Sequence, residues 1–341
     1  MPTGSRQIHI LLYGTKKNIW IGTDEGIYIY AYATETFTYF DLTTPNNVRI
    51  TSIVNHILQD KDGNLWFSTN GQGLFRYNLS KNYLEQYEFT SAFGIVASTM
   101  ADSDNQIWAL TNQGESGVYK LNKAENKFEP FGLLYNAGNH HSQALAMLED
   151  SEQTLWLGTW ECGLQKIDKY TRQTTTYLHP TDGKGVTHIH SLMEYAPHQL
   201  LIGSDDGLLL FNTLTEEYKL FTENETVPNS LSNRFVYPII KDREGGIWIG
   251  TYYGGINYIS PNAEQFESFS HSRLYNSING NVIGRFCEDA HGQIWIASDD
   301  GGLNRYSPKD RKFVYYLPAD HKTAFPITTS MHYAWMETTY G

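Results

Sequence analysis

One tryptophan-centred unit recurs along nearly the whole chain, and few folds are built from units of its length. Its clearest copy is IKDREGGIWIGTYYGGINY, residues 240 to 258: a short apolar run ending at Asp242, a polar turn with Gly245 and Gly246, the strand-like Ile247 to Thr251, and a Gly254-Gly255 turn into another strand. Aligned copies are anchored at Trp20, Trp66, Trp108, Trp156, Leu201, Trp248 and Trp295, spaced by 42 to 48 residues. That period is too long for leucine-rich or ankyrin units and matches propeller blades.

Each copy parses into four short strands. In the second, residues 50–60, 65–69, 74–78 and 83–89 are rich in β-branched and aromatic residues and are separated by KDGN, NGQG and other turn residues, the sequence form of an antiparallel meander. Seven units follow, at about 7–42, 50–89, 94–131, 142–179, 186–223, 233–270 and 281–318. A lone four-stranded sheet exposes two faces and two edges, and radial stacking around an axis removes most of that exposure. The predicted fold is therefore all-β, a seven-bladed β-propeller of four-stranded antiparallel blades spanning 1–318. Residues 319–341, which include SMHYAWMETTYG, are expected to begin a partial eighth repeat or to supply a ring-closing strand. Because the chain begins and ends on repeat strands, it is expected to be a piece of a longer protein.

Composition narrows the partners. The formal charge of -12 and the scattered 25 Lys and Arg argue against nucleic acid. No run approaches the roughly 18 apolar residues of a membrane span, so no membrane insertion is expected within the chain. The start MPTGSRQ lacks the apolar core of a secretion signal. Cys162 and Cys287 stand three repeats apart, nearly opposite in a ring, so no disulfide is expected.

The recurring apolar run, Glu-Asp, x-x-Gly, apolar-Trp-apolar-Gly-Thr and Gly-Gly with a following Tyr resembles the two-component regulator propeller repeats. CEDAHGQIWIASDDGGLNRYSP, Cys287 to Pro308, and IKDREGGIWIGTYYGGINYISP, Ile240 to Pro261, are the best copies, and the similarity covers about residues 7 to 318. The resemblance implies the extracytoplasmic sensor half of a Bacteroides-type hybrid two-component system: a periplasmic domain that binds an oligosaccharide or polysaccharide fragment, does no chemistry itself and signals to a histidine kinase elsewhere in the parent protein. Streptogramin-lyase-like propellers share the Asp-x-x-Gly-x-x-Trp look, which keeps a lyase or glycan-processing enzyme as one alternative and a protein-interaction scaffold as another.

Topology says where a site belongs. In a meander the a-to-b and c-to-d loops share one face, and the b-to-c and d-to-a loops share the other. The Asp-x-x-Gly turns are short and uniform, with Asp60, Asp102, Asp150, Asp242 and Asp289 expected to cap turn amides, so their face reads as scaffold. The opposite face carries the unlike loops, where binding is expected. The first candidates are Trp160 and Glu161 in GTWECG and Tyr252 and Tyr253 in GTYYGG, because the other repeats place Asp or Asn there. Flat rings beside polar groups suit a sugar, although the same rings would also serve to cover neighbouring loops. At the start of strand a, Arg234, Tyr237, Asn281, Arg285, His188 and His190 are further ligand-binding candidates, the arginines as forks for a carboxylate or sulfate. The enzymatic alternative takes His188 or His190 as base, with Glu161 or Arg285 in support. His188-x-His190, with His140-His141 in another loop, lacks a third zinc ligand, and Asp205-Asp206 and Asp299-Asp300 lack the oxygens calcium collects. No metal, cofactor or catalytic residue is assigned. The expected partners are a glycan fragment or other small ligand, the remainder of the parent sensor, and a second copy of the chain in a homodimer.

Overall fold

The computed structural model describes residues 7–14, 17–89, 94–111, 117–133, 143–179, 185–224, 230–261, 266–272 and 276–316. Residues 319–341, His140, His141 and Asn112 lie outside this set. Among the described residues, 28 strands form seven four-stranded antiparallel sheets, each from four consecutive strands in simple meander order. The molecule is a seven-bladed β-propeller. The innermost strands, in blade order, are Ile8–Tyr13, Val54–Gln59, Val96–Ala101, Ala144–Glu149, Ile189–Ala196, Val236–Lys241 and Ile283–Glu288. Each runs beside the innermost strand of the next blade, and Ile283–Glu288 runs beside Ile8–Tyr13, so the ring is closed around a central channel.

Seven hydrophobic clusters occupy the seven gaps between blades, and each contains the anchor side chain of one blade packed on its successor. Trp66, for instance, lies with Val96, Ile107 and Ala109 of blade 3. Trp108 has no solvent exposure, and truncating such a ring to alanine costs about 3–5 kcal/mol. In blade 5, Leu201 takes the same place against Val236 and Ile249, which explains why the register survives the loss of tryptophan.

The Asp of each turn does more than cap. Asp60 Oδ1 accepts the amides of Asp62 and Asn64, while its Oδ2 accepts the indole N–H of Trp66 at 2.8 Å. The same pairing, six residues apart, joins Asp102 to Trp108, Asp150 to Trp156, Asp242 to Trp248 and Asp289 to Trp295. A buried indole N–H needs an acceptor, and in these five blades the Asp supplies it, whereas blade 1 keeps Trp20 with Gly14 at the Asp position. Blade 5 lacks both, with Tyr195 where the Asp would stand and Leu201 in place of the Trp.

The glycine of Trp-x-Gly-Thr sits where adjacent blades pinch together near the axis. A Cβ on Gly250 would lie 2.6 Å from Ile283 Cγ2, and one on Gly158 2.4 Å from Ile189 Cγ2, each a residue of the next blade. Where the glycine is missing, the position is held by Ser68, Leu110 or Ala297.

At the seam between blades 7 and 1, Tyr30 packs on Trp295 and Tyr316, and the Trp295 indole lies 2.7 Å from the Tyr32 hydroxyl. Among the described residues no strand of one blade joins the sheet of another.

Candidate functional site

The channel-facing residues are set by a β-bulge repeated at one height. Every innermost strand slips register against its partner near its start, for example between Val54 and His56, between Ile189 and Ser191, and between Ile283 and Arg285. A bulge places two residues of one strand opposite one of the next and re-aims a side chain. The residue after the first strand position is His9, Asn55, Ala97, Leu145, His190 and Tyr237 in blades 1, 2, 3, 4, 5 and 6. All six line a continuous channel made of a cavity of about 320 Å³ and one of about 240 Å³ that share Asn55, Ala97, Leu145, Tyr237 and Arg285. At this strand position blades 3 and 4 present the apolar Ala97 and Leu145, and blades 1, 2, 5 and 6 the polar His9, Asn55, His190 and Tyr237.

The rim above the channel is fixed by backbone. The first residue after strand b donates its amide to the residue leading into strand a: Asn70 to Ile53, Trp160 to Gln143, Tyr252 to Phe235 and Asp299 to Val282. Thr251 Oγ1 donates to Gly255 O and accepts from Gly254 N, and Thr159 makes the matching pair with Gly163 and Cys162. Gly255 has φ of 72°, and a Cβ there would meet Phe269 O at 2.2 Å. These short locked turns push Trp160, Glu161, Tyr252 and Tyr253 outward; Trp160 is 38% and Tyr253 55% exposed.

Six of the sequence-derived candidates form one arc across blades 4, 5 and 6. The Trp160 ring stacks on His188 with centroids 3.8 Å apart. His190 lies flat on Tyr237 at 3.9 Å, Tyr237 stacks on Tyr252 at 5.3 Å, and Tyr253 meets Tyr252 edge-on at 4.6 Å. Asp205 joins the two histidines: one carboxylate oxygen binds His188 Nδ1 and the other lies 2.8 Å from His190 Nε2. Burial pushes the Asp205 carboxyl upward, but the hydrogen bonds and charges of the two imidazoles together outweigh it and hold the group at about 2. An ionised Asp205 only accepts, so each imidazole turns an N–H toward it, and His188 Nε2 and His190 Nδ1 remain as the atoms facing elsewhere. His188 precedes the strand, with φ of 50°, and the strand starts at Ile189. Neither zinc nor calcium geometry is formed here: among the described residues no group of three or more His, Cys, Asp or Glu side chains is arranged to hold a metal ion.

Arg285 lies inside the channel near Tyr237 and Asp299, apart from the arc. Two other candidates lie outside the arc. Arg234 is exposed with its guanidinium over Phe235, and Asn281 ties loops together by accepting from His271 N and, through its carbonyl, from Gly255 N. Glu161 is exposed on the Trp160 turn.

Sequence reading missed the channel polar set of His9, Asn55, His56 and Asp299, and the bridging role of Asp205. Burial, followed by the charge of Arg285, lowers His9 and His56 to about 4 each. His56 Nδ1 accepts the Thr99 amide at 3.4 Å, which also demands a neutral ring. Burial, offset in part by Arg285 and reinforced by Asp300, raises Asp299 to about 6, although its side chain keeps solvent contact through the channel mouth. For His9, Asn55 and His56 the only sequence signal was the position itself, one or two residues into strand a of the repeat.

Residues 48–71, 230–253 and 277–300 match a family model described as two component regulator propeller. A curated relative, Histidine kinase P4 of Formosa agariphila, is 24% identical over 219 residues, covering 61% of this chain and 16% of the relative. Among solved structures, the extracellular domain of the putative hybrid two component system BT4673 from B. thetaiotaomicron aligns over 93% of this chain and 53% of its own, with a TM-score of 0.54 and 21% identity. Virginiamycin B lyase from Staphylococcus aureus aligns over 89% of this chain and 94% of its own, with a TM-score of 0.65 and 17% identity. The chain thus spans about half of the BT4673 domain and a small part of the kinase, and at these identities the structural likenesses speak to fold alone.

Proposed function

We propose, from the match of three repeats to the two component regulator propeller model, that the chain is the ligand-binding sensor domain of a longer signalling protein, holding an oligosaccharide fragment at the Trp160 to Tyr252 rim without transforming it. The observation that carries this reading is the stacked arc Trp160, His188, His190, Tyr237, Tyr252 around Asp205, set over a channel lined by both apolar and polar side chains. A sugar ring offers a C–H face to stack and hydroxyls to bond, and the arc presents rings beside polar atoms at one mouth. An extracytoplasmic location, a kinase elsewhere in the parent protein and signalling through contact with the rest of that protein or with a second copy all belong to the same proposal.

Calorimetry against a panel of glycan fragments tests it. Binding by at least one fragment, weakened about 10- to 100-fold by Trp160→Ala and by Tyr252→Ala, is the expected result. Tight binding that neither substitution disturbs would remove the rim from consideration.

The His188–Asp205–His190 link also favours a second reading, in which an imidazole oriented by a carboxylate acts as a general base. Turnover of a bound fragment that disappears in His190→Ala, with binding retained, would replace the sensor reading by an enzymatic one.

A further inference from the structure

Among the described residues Arg285 makes no direct ion pair, although Asp299 acts on it as a nearby charge. Its only hydrogen bond runs from Nη1 to the carbonyl of its neighbour Gly284, at 2.7 Å, and among the described residues no carboxylate lies within ion-pairing distance. Asp299, the nearest acid of the same wall, sits over Gly284, where a Cβ would be 3.5 Å from its Oδ1, and remains unpaired with the guanidinium. The flanking channel histidines cannot substitute for a missing anion, since His56 accepts through Nδ1 and His9 Nε2 is buried with no partner.

Arg285 is half-buried in the channel, so its guanidinium gives up part of its hydration without a direct anion partner, which is unfavourable, and its planar fork matches a carboxylate or sulfate through two parallel N–H bonds. The position is also favourable: Arg285 lines both cavities, below the mouth that Tyr237 and Tyr252 border. We propose that Arg285 is an anion subsite, receiving the carboxylate or sulfate of an acidic saccharide whose sugar ring rests on the Tyr237 and Tyr252 side of the mouth. Asp299 then faces the hydroxyl side of the same residue of ligand, where it accepts hydrogen bonds and disfavours a second negative charge. This assignment rests on the sensor reading and specifies its ligand class.

Matched ligand pairs test it by calorimetry at neutral pH: tri-galacturonate against its full methyl ester, and N-acetylgalactosamine 6-sulfate against N-acetylgalactosamine. In at least one pair the charged member is expected to bind about 10-fold or more tightly than the neutral one. Arg285→Gln should reduce the charged member to the affinity of its neutral counterpart and leave the neutral member within about 2-fold, while Arg285→Lys restores part of the preference as a point charge. Free sulfate should compete with the charged member in the unaltered chain, a readout that needs no variant to fold. The two pairs separate carboxylate from sulfate. Neutral members binding as well as charged ones, or a charge preference that survives Arg285→Gln, would overturn the anion subsite and leave the sensor reading standing. Absence of binding by both members of every pair, and by the wider glycan panel, would take down both.

Discussion

The indole nitrogen of Trp248 donates to Asp242 Oδ2 at 2.8 Å, while the other oxygen of Asp242 holds the amides of Glu244 and Gly246. One carboxylate thus fixes a turn and the ring that wedges blade 6 against blade 7. Asp242→Ala leaves a buried N–H and two turn amides without their acceptor and should cost about 2–3 kcal/mol in denaturant unfolding. Asp242→Asn should recover little of this, because an amide that keeps the turn points an N–H at the indole. In the background of Trp248→Phe the Asn penalty should shrink, and a double-mutant cycle measures by how much.

Gly250 faces Ile283 of the next blade and Pro238 of its own. Gly250→Val should destabilise the fold by about 1–3 kcal/mol or more through overpacking. Gly132→Ala, where an added methyl meets nothing within 4 Å, should be neutral or slightly stabilising. Chemical denaturation of both variants separates crowding from loss of backbone freedom.

Asp205 orders two imidazoles at once. Nitrogen NMR of the unaltered chain should place the proton on Nδ1 of His188 and on Nε2 of His190, and Asp205→Ala should release both rings into tautomer mixtures. Unchanged ring signals in that variant would contradict the bridging geometry.

His9 and His56 have folded values near 4 against an ordinary 6.5. Each therefore binds fewer protons when folded, and its stabilising contribution is complete above about 6.5 and is lost as pH falls toward 4. The loss is at most about 3 kcal/mol per imidazole. Asp299 works in the opposite sense, since its folded value is raised and acidification through about 6 relieves the cost of its charge. Solvent contact keeps that contribution small. Unfolding curves from pH 7 to 4 should fall, and the double variant His9→Gln, His56→Gln should flatten them.

Both cysteines are buried, and burial pushes the Cys287 thiol up to about 12. Neither should react with a thiol reagent until the chain unfolds, so labelling kinetics should track global opening rather than thiolate formation.

The blade count and the identity of the rim rings were legible because both depend on spacing: tryptophans at a blade-length period, and aromatic residues at a turn position where other repeats carry Asp or Asn. Trp160 and Tyr252 could be singled out by comparing the chain with itself. The channel was not legible in that way. His9, Asn55 and Tyr237 share a position, but what turns them inward is the bulge, and nothing in the alternation of Ile8 to Tyr13 or Val54 to Gln59 announces an extra residue. Arg234 and Arg285 looked equivalent as arginines near the start of strand a. The side chain at 234 precedes the bulge and lies on the outer rim, whereas that at 285 follows it and enters the channel. The Asp–Trp hydrogen bond was hidden because one end lies in a turn and the other in the strand after it, although their six-residue spacing repeats five times.

Each blade is one uninterrupted stretch of chain, and blades 7 and 1 meet through Tyr30, Trp295 and Tyr316 rather than through a shared strand. Every d-to-a connection is therefore an equivalent place to cut and rejoin. Circular permutants with new termini in those links would keep all seven ladders whole, and the molecule's topology has no privileged first sheet.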